Sequence, residues 1–110
     1  MSMVKYVESV EEFKKYASEK KVVMDFFAEW CGPCKMLTPV LEEVSKKMED
    51  ILFVKCDIDR FPDIASAFKV MSVPTLIYFQ DGQAITGMSG YLPEPQLVKW
   101  INDAQQKAAK

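Results

Sequence analysis

The sequence contains no histidine, and Arg60 is its only arginine. Without imidazole, the usual general base and the commonest metal ligand are both missing. Lysine carries nearly all the positive charge, and the formal net charge is −2, so there is no basic footprint for nucleic acid. No run of 18 apolar residues occurs, which argues against a membrane span. The opening stretch, MSMVKYVESVEEF, has neither an apolar core like that of a signal peptide nor an Arg-rich amphipathic pattern. No export or transit signal is read there, and a cytoplasmic location is expected. Cysteine is also scarce. Three residues are an odd number and too few for a disulfide framework.

What remains is a 110-residue chain, 49% apolar, with no low-complexity tract, internal repeat or linker. That length and composition suit one domain over residues 1–110 with a core of its own. MVKYV (3–7) reads as a short strand. Ser9 followed by Glu12 has the spacing of a capping box, and Val10, Phe13 and Ala17 form the apolar stripe of the helix it opens. KVVMDFFA (21–28) is nearly continuous apolar sequence, as in a strand buried on both faces. A long helix is expected from about Cys31 to Met48, with Leu37, Val40, Leu41, Val44 and Met48 at helical spacing and Pro39 marking a kink. ILFVKC (51–56) reads as a second buried strand, and residues 61–70 hold a short helix. TLIYF (75–79), an Asp81-Gly82 turn and QAITGM (83–88) form a β-hairpin. Pro95 suits the first turn of a last helix with Leu97, Val98 and Ile101 inward, and the tail QQKAAK is expected to fray. The order βαβαβαββα predicts an α/β fold. Its centre is a five-stranded mixed sheet, three parallel strands plus the antiparallel C-terminal hairpin, with four helices distributed over both faces.

The chemistry concentrates in AEWCGPCKM (28–36), where Cys31 and Cys34 are three residues apart. The pair follows a buried strand and opens a helix, the place where reaction sites of such sheets collect. Free N–H groups and the helix dipole favour an anion at Cys31, and Lys35 adds positive charge. Three helical residues separate the Cα atoms by about 5 Å, within reach of a disulfide. Pro33 fits the first turn, and Gly32 leaves room for another chain to approach. Three purposes compete. As a staple, the bridge closes only four residues and contributes about 2 kcal/mol, and a reducing cytosol opposes it. As a metal site, it has only Cys56 to add and no histidine, short of the four ligands zinc takes. A reversible redox couple fits best, since CxxC beside a βαβ pattern is itself a redox signal.

FFAEWCGPCKM resembles the active-site segment of thioredoxin. The resemblance extends at matching spacing to Asp25, Pro39, Lys55, Val73-Pro74-Thr75, Gly82 and Gly90, nearly the whole chain. It implies the thioredoxin fold and a protein-disulfide reductase, a dithiol electron carrier with no bound cofactor. In that reading Cys31 attacks a substrate disulfide and Cys34 resolves the mixed disulfide. Asp25 is the buried acid that helps move a proton from Cys34, with Lys55 near it. Only about 5% of X–Pro bonds in folded proteins are cis, so the residues alone favour trans at Pro74, whereas the resemblance implies cis. It also implies an apolar rim of Trp30, Gly32, Pro33, Val73, Pro74 and Gly90, with the Val73 backbone pairing to an extended substrate. The implied partners are an NADPH-dependent flavoprotein thioredoxin reductase and clients such as ribonucleotide reductase, peroxiredoxin and methionine sulfoxide reductase, met by a monomer. Phe27 stands where many family members carry tryptophan, read as a packing change. Cys56 is an extra cysteine, expected to be buried and inert. Met71 and Ser72 lie in a loop that varies in the family. The alternatives are a secretory-type oxidase or isomerase and a non-catalytic binding module. Gly-Pro between the cysteines, in place of histidine, disfavours the first. Retention of Cys31, Cys34, Asp25 and Pro74 disfavours the second.

Overall fold

The computed structural model describes residues 3–110. Five strands and four helices alternate as expected: β1 (Val4–Tyr6), α1 (Val10–Ala17), β2 (Lys21–Phe27), α2 (Gly32–Lys47), β3 (Leu52–Asp57), α3 (Pro62–Ala67), β4 (Thr75–Gln80), β5 (Gln83–Ser89) and α4 (Glu94–Ala108). The sheet order is β1-β3-β2-β4-β5. β1, β3 and β2 run parallel, and β4 and β5 run antiparallel. This is the mixed sheet that the strand–helix order predicts, in the arrangement that the thioredoxin resemblance implies. The apolar run of β2 follows from its place at the centre, with β3 on one side and β4 on the other.

Period-two alternation sorts the side chains into two layers. Val23, Phe53, Leu76 and Tyr78 face α2 and α4, where they meet Leu37, Leu41, Val44, Leu97 and Ile101. Val22, Met24, Phe26, Val54, Cys56, Ile77 and Phe79 face the opposite way, against Phe13 and Ile64. The second layer is aromatic: Phe13, Phe26, Phe68 and Phe79 stand with ring centroids 5.4–6.4 Å apart, mostly tilted or edge-on. Asp25 and Lys55 fall on the α2/α4 face by the same alternation. They interrupt an otherwise apolar layer directly beneath the start of α2.

The local signals act with some changes. Ser9 Oγ accepts from the Glu12 N–H at 3.0 Å. The return bond from Glu12 reaches Glu8 N–H at 2.8 Å, one residue before the expected partner. Val10, the first residue of α1, is 45% exposed, and Phe13 and Ala17 carry the apolar stripe onto the core. Asp81 and Gly82 both have positive φ, 53° and 83°, the two-residue turn whose twist suits a hairpin. α2 runs as one helix through Pro39. The expected fraying of QQKAAK is corrected: α4 continues to Ala108. Alanine, glutamine and lysine are strong helix formers, and Ala104 and Ala108 pack on the core.

Candidate active site

β2 ends at Phe27, and the chain turns through Ala28 into α2, whose N-cap is Cys31. Its sulfur takes the capping role that an oxygen usually plays, accepting the Cys34 N–H at 3.2 Å. Cys31 and Cys34 form a disulfide with Cα atoms 5.3 Å apart, as their helical spacing predicts. Both cysteines are buried, Cys31 4% exposed and Cys34 1%. The cause is a segment 42 residues downstream. The Val73 carbonyl oxygen lies 3.7 Å from Cys31 Sγ, and Val73, Ile58, Phe27 and Ala28 close around both sulfurs.

The surroundings of Cys31 are nevertheless open. Gly32, Pro33 and Lys35 are exposed, and a Cβ added to Gly32 would meet nothing within 4 Å. Trp30 is 68% exposed, its indole N–H donating to Asp59 Oδ2 at 3.0 Å. Asp59 is fixed in turn by the Asp57 carboxylate, which accepts its backbone N–H at 2.8 Å. The Val73–Pro74 bond is cis, as the resemblance implied and the residues alone did not. Gly90, at φ 104°, donates its N–H to the Pro74 carbonyl at 2.8 Å. That left-handed conformation favours glycine. Trp30, Gly32 and Pro33 flank Cys31 in the chain, Val73 packs on the disulfide and Gly90 is tied to Pro74, so three separate segments meet here.

Behind the disulfide lies the polar insert. Asp25 is fully buried, and neither of its carboxylate oxygens accepts a hydrogen bond among the described residues. Lys55, opposite it in register, brings its ammonium to 3.4 Å from Oδ2, an ion pair without hydrogen-bond geometry. Burial raises the Asp25 carboxyl to about 6 from an ordinary 3.8, against the opposing pull of Lys55. The Lys55 ammonium instead donates to Thr38 Oγ1, and it sits 4.5 Å from the centre of the Phe27 ring. Tyr6, its partner on β1, stacks edge-on to Phe27 at 6.0 Å. Cys34, Lys35, Thr38, Phe27, Tyr6 and Lys55 line a cavity of about 130 Å³ beside the buried sulfur. Thr38 escaped the sequence reading. Its signal was its place one helical turn after Cys34. Asp59 escaped as well, since nothing local links it to Trp30.

Cys56 points to the other face of the sheet, fully buried, and burial pushes its thiol up to about 12. Among the described residues no group of three Cys, Asp or Glu side chains is placed to hold a metal ion.

A family model for thioredoxin matches residues 4–103. The chain belongs to the thioredoxin family. It is 45% identical over 100 residues to a thioredoxin of Chlamydia caviae, covering 91% of this chain and 97% of that one. Its fold matches a thioredoxin of Nicotiana alata with a TM-score of 0.86 at 34% identity, covering 94% and 93% of the two chains. It also matches, with a TM-score of 0.84 at 37% identity and 94% and 99% coverage, a chain from a study of thiol resolution in yeast mitochondrial 1-Cys peroxiredoxin via glutathione/thioredoxin systems. Thioredoxins act through a redox-active disulfide without a cofactor. With Cys31 and Cys34 at bonding distance, this thioredoxin-family chain is a thiol-disulfide oxidoreductase, a dithiol reductant of protein disulfides. The family works with a reductase on one side and disulfide clients on the other.

Proposed function

We propose that Cys31 is the attacking residue and Cys34 the resolving one. The observation that carries this is the unequal setting of the two sulfurs. Cys31 caps a helix N-terminus beside exposed Trp30, Gly32 and Pro33, whereas Cys34 lies one turn into the helix, buried, and lines the cavity with Lys55 and Thr38. The Cys31 thiolate attacks one sulfur of a client disulfide, and the other client sulfur leaves as thiolate. Cys34 loses its proton and attacks the Cys31 sulfur, breaking the mixed disulfide. The client leaves as a dithiol, two electrons richer, and Cys31–Cys34 is left oxidised. Asp25, whose ion-pair partner Lys55 lines the same cavity as Cys34, takes up the Cys34 proton, for which a carboxylate near 6 is suited at neutral pH. Lys55 and Lys35 supply positive charge around the pair. The Val73 backbone pairs with the client strand while Trp30, Pro33, Pro74 and Gly90 give an apolar rim with little side-chain selectivity.

The chain works as a cytoplasmic monomer of one domain. Its electron donor is an NADPH-dependent flavoprotein thioredoxin reductase, and its clients include ribonucleotide reductase, peroxiredoxin and methionine sulfoxide reductase. The similarity to the chain studied with a peroxiredoxin supports the second of these. The test is mass spectrometry after mixing with a disulfide-bonded client. Cys34→Ser accumulates the covalent complex and Cys31→Ser does not. Turnover by Cys31→Ser overturns the assignment.

A further inference from the structure

Thr38 has no role in the reaction proposed above, yet it holds two of the site's groups. Its hydroxyl donates to the Cys34 carbonyl at 3.2 Å, which fixes the hydroxyl's direction. With its hydrogen so engaged, the oxygen accepts from the Lys55 ammonium. Lys55 is 3% exposed, so water competes little for its three N–H groups. One goes to Thr38. The charge lies over the Phe27 ring at 4.5 Å and within 5.9 Å of the Tyr6 ring centre. What is left over for Asp25 is an approach to 3.4 Å that makes no hydrogen bond, and both carboxylate oxygens stay unsatisfied. A buried carboxylate with a buried ammonium this close would ordinarily take a charge-assisted hydrogen bond. Here a threonine one turn below the resolving cysteine takes it instead.

We propose that Thr38 is a positioning residue of the thiol-disulfide reaction. By anchoring the Lys55 ammonium it holds that group out of hydrogen-bond alignment with Asp25 and so sets the pH range in which Asp25 can accept a proton from Cys34. The Phe27 ring is the second restraint on the same ammonium. The consequence for the reaction rests on the role of Asp25 proposed above. In its own row across the sheet stand Lys55 on β3, Tyr6 on β1 and, from β4, only the apolar Leu76. Phe27 and Asp57 occupy the next row. α2 contributes Thr38 and the Cys34 sulfur at the cavity, whose outer wall includes Glu29 and Lys35. Cys56 feels Asp25 from the far face. Lys55 is the only cation in the row, so its hydrogen bonds are where Asp25 can be tuned.

Thr38→Val keeps the shape and removes the acceptor. Lys55 then turns one N–H to Asp25, which favours the charged carboxylate. Two readouts on the full chain test this. In the oxidised protein, where neither active-site sulfur titrates, carbon-detected NMR follows the Asp25 carboxyl. Its midpoint falls by roughly one pH unit in Thr38→Val, and Thr38→Ser restores it. In the reduced protein, 5,5′-dithiobis(2-nitrobenzoate) first forms a mixed disulfide, releasing one nitrothiolate. Attack by Cys34 then releases the second, so the second phase reads resolution alone. Its acid limb moves to lower pH with the Asp25 midpoint. An unmoved or raised midpoint in Thr38→Val, or no rescue by Thr38→Ser, overturns the inference whatever the second phase does. A lowered midpoint with an unmoved second phase supports the control of Asp25 by Thr38 and overturns the part assigned to Asp25 in resolution.

Discussion

Replacing Asp25 by asparagine should make the protein more stable, and by an amount that depends on pH in one direction only. Asp25 is fully buried with two unsatisfied oxygens, and burial raises its carboxyl to about 6, with the attraction of Lys55 already included. In the unfolded chain it titrates near 3.8. Between those values the folded state holds the proton and the unfolded state does not, so stability falls as pH rises through this window. Below about pH 4 both states are protonated and the residue costs nothing through titration. Above about pH 7 both are ionised and the full cost is present, roughly 3 kcal/mol from the separation of the two values. Asparagine is nearly isosteric and does not titrate. A buried amide has its own desolvation cost, but that cost is the same at every pH. The quantity to measure is therefore the change with pH. Guanidinium denaturation of the oxidised wild type and Asp25→Asn at pH 4, 5, 6, 7 and 8 should show the variant gaining roughly 2.5 kcal/mol relative to wild type from the lowest pH to the highest. The high salt screens surface carboxylates and leaves the buried one visible. A pH-independent difference, or one that shrinks as pH rises, would show that Asp25 is not a raised carboxyl and would refute the reasoning.

Two further outcomes are expected. Equilibration with glutathione or dithiothreitol buffers should give a Cys31–Cys34 potential near the thioredoxin value of about −270 mV, since Gly-Pro places no cation between the sulfurs. A value near −120 mV would mean an oxidant, a difference of roughly 7 kcal/mol for two electrons. In the native oxidised protein, Cys56 should react with iodoacetamide at pH 8 on the order of a thousand-fold more slowly than free cysteine, because its thiol stands at about 12 and is fully buried. Labelling at the free-cysteine rate would show that the sheet opens at β3.

The strands and helices were legible because their signals are local. β2 and β3 read as buried from apolar runs, and the Asp-Gly hairpin carries its own turn chemistry. The cysteine pair was legible because three-residue spacing and a strand-to-helix position are both visible in one line of text. What escaped depends on distant segments. The burial of Cys31 comes from Val73, and the anchor of Trp30 from Asp59. The residues around Pro74 give no local sign of a cis bond; the family resemblance carried it. Thr38 was invisible for a different reason. A threonine one turn into a helix has an ordinary use, bonding the carbonyl four residues back. It makes that bond here, to Cys34, and the sequence holds no mark of the second partner that β3 delivers to it.

That second partner explains how a destabilising residue can sit at the centre of a small fold. An acid buried beside a lysine would be most stable with its oxygens satisfied, and it would then hold a proton only at low pH. Such a group is a weak base at neutral pH, poorly matched to a thiol, the partner proposed above for Asp25. Burial raises the proton affinity of the carboxylate toward neutrality and costs stability in the same step. The sheet makes the placement unavoidable, since alternation along β2 puts Asp25 between Val23 and Phe27 on the face that α2 covers. The remaining freedom lies in where Lys55 spends its hydrogen bonds. Thr38 and the Phe27 ring take that freedom away. On the roles proposed for Asp25 and Thr38, the reactivity of the pair at the helix start is set one layer below it, by what Lys55 is prevented from doing.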